Sequence, residues 1–200
     1  MSLLNEVVPV SSFELIRDKI GAILAEEINH QFLISYDPEI QINTVWVERF
    51  IPFSKTELPT INVTVASGTY DSKDMKHAVG TYTYNIEIYS SSKTSEDDRG
   101  DVQAKFKLHK LMRICRAILE NPRYKYLGFD PVKIISRRYV QDIVFAQGPT
   151  QDADNTIMGM LTFIVIVPET NELINPPLLA GHDTSWKIQQ SDKGYFYTIN

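Results

Sequence analysis

A single cysteine, Cys115, stands in a chain of 200 residues. No intramolecular disulfide can form, so the small disulfide-stapled scaffolds are excluded. Glycine is scarce and scattered, and none opens a G-x-x-x-x-G-K or G-x-G-x-x-G pattern. Neither common phosphate-cradling loop is therefore present. The H-E-x-x-H, C-x-x-C and G-x-S-x-G patterns are missing as well. His30, His77, His109 and His182 lie far apart, without the spacing of a metal site. No catalytic, cofactor-binding or metal-ligating residue is expected, and the sequence reads as a non-enzyme. The most apolar run, 157–167, is broken by Gly159 and Thr162 and is too short to cross a bilayer as a helix. The first residues lack the charged and apolar pattern of a secretion signal, so none is expected. Asn62-Val63-Thr64 matches a glycosylation sequon but falls in a predicted strand, and is read as chance.

What is present is an ordinary globular composition, with 43% hydrophobic and 22% charged residues. A domain of this length buries about 70% of the surface its unfolded chain exposes, enough for a core without metals or disulfides. The net charge of −5 is unevenly spread. Residues 105–138 hold ten Lys or Arg against only Glu120 and Asp130, while both flanking segments are acidic. Three readings of this block stand: a solvated helix face, a nucleic-acid contact, or a subunit interface in which a basic face meets an acidic one. The acidic total argues against free nucleic-acid binding, and head-to-tail packing would use such a dipolar surface.

Helical periodicity is strong in two places. Ser11 and Glu14 have capping-box spacing. Phe13, Ile16, Ile20, Ile23, Leu24 and Ile28 then form one stripe, predicting a helix from about Ser12 to about His30. A second helix is predicted from about Asp101 to Glu120, ended by Asn121-Pro122. Its apolar arc comprises Ala104, Leu108, Leu111, Met112, Cys115, Ile118 and Leu119, which makes Cys115 a buried structural thiol. Lys105, Lys107, Lys110, Arg113 and Arg116 lie outside the arc, as do Phe106 and Ile114.

Period-two alternation marks the strands. A first is read over 44–50, followed by a loop bracketed by Pro52 and Pro59. Ile61, Val63 and Val65 mark a half-buried strand, and Tyr82, Tyr84, Ile86 and Ile88 the clearest one. Residues 67–79 are polar and mixed and are read as a loop, as is Ser90–Gly100, which has no apolar residue. Alternation over 132–147 predicts a long strand broken near Ser136-Arg137-Arg138, and 157–167 a central strand ended by Pro168. Helix, strands, helix, strands predicts an α+β domain over 1–168, with a largely antiparallel sheet and two helices on one face.

Residues 169–200 form a C-terminal extension. Asn175-Pro176-Pro177 breaks regular structure, and Ser191–Gly194 reads as a turn between two short strands. Leu178, Leu179, Trp186, Tyr195, Phe196 and Tyr197 are too apolar and aromatic for a disordered tail. The extension either packs on its own domain or lies as an arm across a neighbouring subunit.

Leu58–Pro168 resembles the tail-terminator or tail-completion proteins of long-tailed phages, the family typified by the lambda minor tail protein U. The likeness lies in ordered features: the N-terminal amphipathic helix, Leu58-Pro59-x-Ile-x-Val-x-Val, and a polar loop with Gly68 and Tyr70. The strand Tyr82–Tyr89 and the helix ending in Asn-Pro follow, then two closing strands ending Leu-Thr-Phe-Ile-Val-Ile-Val-Pro. The chain departs from the family in its C-terminal extension, its extra residues before Leu58 and its basic second helix. The resemblance implies a structural protein acting without a cofactor. Such a protein forms a ring, usually a hexamer, that caps the tail tube, stops its polymerisation and joins it to the head; another phage head-tail connector or neck ring protein is the alternative, and a nucleic-acid-binding module using 105–138 a less favoured one. Its implied partners are further copies of itself, the tail-tube protein and a head-completion protein, with no membrane and no specific nucleic acid. Its implied places are the host cytoplasm during assembly and then the virion tail. On this reading Lys105, Lys107, Lys110, Arg113, Arg116, Arg137 and Arg138, with Leu178, Leu179, Trp186, Tyr195, Phe196 and Tyr197 of the extension, make subunit contacts. Two loops, carrying Tyr70, Asp71 and Lys73, and Lys93, Glu96, Asp97, Asp98 and Arg99, dock on tube or head partners.

Overall fold

The computed structural model describes residues 10–72, 77–92, 100–129, 135–146, 156–170, 186–191 and 194–199. The chain divides into two compact units. Pro9–Thr170 holds the main sheet and both helices, and the C-terminal hairpin belongs to the other.

In the main unit the elements run α1 (Ser12–Ser35), β1 (Thr44–Val47), β2 (Thr60–Ser72), β3 (His77–Ser91), α2 (Gly100–Glu120), β4 (Arg137–Ala146) and β5 (Thr156–Thr170). The sheet order is β1-β2-β3-β5-β4. β1 and β2 are parallel, and the other neighbouring pairs are antiparallel. This is the predicted α+β class with a largely antiparallel sheet. The parallel pair was not anticipated. It arises because residues 48–59 cross over between β1 and β2 instead of turning back in a hairpin.

One row across the sheet shows how the helices sit. Val45, Ile61, Ile88, Gly159 and Phe145 are successive register partners. A Cβ at Gly21 of α1 would touch Val47 and Val45, while one at Gly159 would run into Met112 of α2. Both helices therefore cover the same face. The whole predicted arc of α2 is buried, and so are Ile16, Ile20, Ile23, Leu24 and Ile28 of α1. They meet Ile61 and Val63 of β2, Tyr82, Tyr84, Ile86 and Ile88 of β3, and Leu161, Phe163, Val165 and Val167 of β5. Each such aliphatic side chain contributes about 1.5–3 kcal/mol of burial free energy, so this single layer dominates the stability. The Tyr84 hydroxyl is kept from being orphaned by donating to the Phe13 carbonyl at 3.0 Å.

Several boundaries differ from the sequence reading. α1 starts at the predicted capping box but continues to Ser35, where Tyr36 takes a left-handed conformation (φ 53°). Its last turn carries exposed Leu33 and Ile34, which break the stripe without breaking the helix. β1 stops at Val47 because Glu48 turns left-handed (φ 53°) and its carboxylate accepts from the Val65 N–H at 2.7 Å.

The span 67–79 is mostly strand, so the predicted docking loop there is corrected. β2 and β3 pair as far as Ser72↔Ala78, past a register shift between Val65 and Ser67 that interrupts the period-two pattern. Gly68 and Gly80 leave room for the Tyr82 ring, since a Cβ at either would lie 3.0 Å from it. β3 likewise runs through Ser90 and Ser91. β4 begins at Arg137, and its irregularity falls between Val140 and Asp142, later than predicted. β5 passes through Pro168 to Thr170. Proline is tolerated because pairing with β4 ends at Arg137↔Ile166, leaving that side of β5 as an edge.

In the other unit β6 (Trp186–Ser191) and β7 (Gly194–Ile199) form an antiparallel pair, in register from Trp186↔Ile199 to Ser191↔Gly194. This is the predicted pair of short strands.

Phe163→Ala is expected to cost about 3–5 kcal/mol in chemical denaturation, through loss of a fully buried ring. Gly159→Val is expected to cost about 1–3 kcal/mol by pushing Met112 and α2 away from the sheet. A variant as stable as the parent would show that α2 does not rest on Gly159.

Candidate functional site

The basic face of α2 separates into cations used by the fold and cations left over. Lys110 reaches the short turn Pro38–Ile40, pairing with Asp37 at 3.1 Å and with Glu39. These carboxylates, Glu39 foremost, raise the Lys110 pKa above its usual value. Asp37 is held below the usual carboxylate range by the Glu39 backbone N–H first and by Lys110 second. Arg116 pairs with Glu120 at 3.0 Å, one turn along the helix. Arg138 donates to the carbonyls of Asn121 at 2.6 Å and Lys125 at 3.1 Å, and burial lowers its pKa. Lys105, Lys107 and Arg113 meet no acidic partner among the described residues. Beside them Phe106 is 57% exposed and Val102 42%. Ile114, also outside the predicted arc, packs against the core edge.

Across the sheet, on the face away from the helices, the crossover 48–59 builds a feature that the sequence reading missed. Arg49 forms a two-pronged ion pair with Glu57, at 2.6 and 3.2 Å. Its guanidinium lies 4.3 Å from the Trp46 ring centre and 4.6 Å from that of Phe53. Buried Asn62 fastens the crossover to the sheet. It accepts from the Arg49 N–H at 3.1 Å and donates to the Arg49 carbonyl and to Glu87, each at 3.0 Å. The sequon asparagine is thus spent on structure. Phe53 packs on Tyr89 at 4.9 Å. Burial, with Glu87 beside it, pushes the Tyr89 hydroxyl up to about 12. Phe50 and Ile51 are left 84% and 72% exposed on the rim of a cavity of about 380 Å³ that Pro52, Leu58 and Thr156 also line. The signal was Phe50-Ile51-Pro52-Phe53, an apolar run across the end of the predicted first strand and the start of the loop after it.

A third cluster joins α1 to the end of β5. Glu169 accepts from the Tyr82 hydroxyl and from Ser12 Oγ at 3.2 Å, and Tyr70 lies edge-on to Tyr82 at 5.9 Å. Burial and the Glu169 carboxylate raise the Tyr82 pKa, and burial raises that of Tyr84.

Tyr70 and Asp71 therefore sit on β2 and not in a loop. Lys73, Lys93, Glu96, Asp97, Asp98 and Arg99 lie outside the described residues, as do Leu178 and Leu179. Trp186 falls on β6, and Tyr195, Phe196 and Tyr197 fall on β7. Cys115 is fully buried, and burial pushes its thiol up to about 12. No group of three or more His, Cys, Asp or Glu among the described residues is placed to hold a metal ion. No helix among them is long and apolar enough to cross a membrane. No family model and no curated protein matches the chain.

Two outcomes are expected. A thiol reagent at mildly alkaline pH leaves Cys115 unmodified in the native protein and modifies it once the chain is unfolded; fast native reaction would contradict the burial. The Glu57 carboxyl is depressed from 4.5 to about 2, first by Arg49 and then by the Ser54 N–H and hydroxyl. Because the folded value is the lower one, its stabilisation is present above pH 4.5 and is lost as pH falls towards 2. Thermal melting across that window should decline less steeply in Glu57→Gln than in the parent.

Proposed function

We propose that this chain is a non-enzymatic structural subunit of a phage or prophage tail. It forms a ring, with a hexamer favoured, that caps the tail tube, stops its growth and presents a surface for joining to the head. The observation that carries this reading is binding capacity left unused within the subunit. Lys105, Lys107 and Arg113 point outward from α2 without acidic partners among the described residues, beside exposed Phe106 and Val102. Phe50 and Ile51 stand exposed on the crossover, on the other side of the sheet. Two different surfaces on one subunit suit a heterologous contact, which closes into a ring when its rotation closes. The order of helix, strands, helix and strands supports the reading, although the polar loop of the resemblance at Gly68 and Tyr70 is strand. The tail-tube protein and a head-completion protein are the proposed partners, met in the host cytoplasm before incorporation into the virion tail.

The test is native mass determination over a protein concentration series at low and high salt, with electron microscopy of the largest species. A closed oligomer that loosens with salt is expected, and the triple change K105E/K107E/R113E should shift it to a monomer that keeps the parent's circular-dichroism spectrum and melts lower by the stabilisation that assembly supplied. A parent that stays monomeric at every concentration, and that leaves tube length unchanged when mixed with polymerising tail-tube protein, would overturn the reading.

A further inference from the structure

We propose that the corner where the turn after α2 meets the start of β4 binds the phosphodiester backbone of a nucleic acid. Arg138 builds this corner: its bonds to the Asn121 and Lys125 carbonyls fasten the first residues of β4 to the turn. Arg123, Lys125 and Arg137 are exposed around it. Lys19 of α1 joins them, since a Cβ on Gly128 would lie 3.0 Å from its Cε. None of these four cations has an acidic partner among the described residues. At its border Glu120 pairs with Arg116, and Glu27 accepts from the Tyr124 hydroxyl. The carbonyl end of α2 also points here, and its partial negative charge favours cations.

Aromatic rings are interleaved with the charges. Arg123 lies 5.8 Å from the Tyr124 ring centre, Lys125 5.1 Å from Tyr126, and Arg137 5.1 Å from Tyr139. A cation resting on a ring is already partly ordered, which lowers the entropy lost when it meets a phosphate. Cations alternating with tyrosine match surfaces that track a nucleic-acid backbone, where rings also offer stacking. An acidic protein face fits less well. Protein interfaces centre on apolar anchors and are depleted in lysine. The most exposed phenylalanines among the described residues, Phe50 and Phe106, lie away from this corner, on the crossover and on the first turns of α2. The contact reads no bases, so it is non-specific, and it does not depend on the ring.

Fluorescence anisotropy of the full chain with a labelled DNA duplex tests this, with single-stranded DNA and duplex RNA as further arms to show which nucleic acid is preferred. With four phosphates neutralised, duplex affinity should fall about a hundredfold between about 50 and about 200 mM salt. R123E/K125E/R137E should lose binding at least about tenfold and flatten the salt slope by about three. K105E/K107E/R113E makes the same change in net charge and, titrated at concentrations where the parent is also monomeric, should stay within about threefold of the parent. Three results would overturn the proposal: no binding of any arm at low salt, equal loss in both variants, or a corner variant that changes oligomer mass while DNA binding stays put. The last would assign the corner to a protein contact. A monomeric parent that binds DNA would sink the ring and leave this inference intact.

Discussion

The structure depends on how closely α2 can approach the sheet. At Gly159 the strand offers no side chain, and the Met112 thioether fills the space a Cβ would take. Around that contact Leu108, Leu111, Cys115 and Leu119 come down on the apolar face of β3 and β5 with no polar atom to satisfy. Because α1 covers the β1 end of the same face, the two helices and the long central pair of strands share one continuous core. Everything on the outer surface, from the cations of α2 to the crossover 48–59, is held in place by that layer.

Elements whose side chains alternate without interruption were legible. The arc of α2 and the apolar face of β3 are buried residue for residue as periodicity requires, and so is the stripe of α1 apart from half-buried Phe13. Legibility failed where apolar alternation lapsed. The outer half of β2 reads Ser-Gly-Thr-Tyr-Asp-Ser, and its pattern is shifted by the irregularity after Val65. Nothing in composition separates such a ladder from a loop. The parallel placement of β1 was equally hidden, because it rests on Asn62 and Glu48, whose bonds are long-range.

The candidate surfaces were half legible. The basic block could be counted, but which cations remain free could not. Lys110 is consumed by Asp37 and Glu39, and Arg138 by two carbonyls, and only the fold brings these groups together. What looked like one band of charge becomes two patches, one on the first half of α2 and one at its far end. The apolar rim at Phe50 and Ile51 was hidden because the apolar pattern there extends a strand reading to residue 50, whereas β1 ends at Val47.

The irregularity in β4 has a further consequence. β4 is the outer strand of the sheet, and a regular strand of its length would offer a straight row of unsatisfied N–H and C=O groups to any passing chain. The extra residue between Val140 and Asp142 bends that row, and Arg137 and Asp142 put charge along it. A second sheet cannot zip onto this border over its full length. Edge-to-edge pairing through β4 is thereby disfavoured, which leaves side-chain surfaces, whose geometry can limit the number of subunits, as the better route to assembly on this side of the sheet.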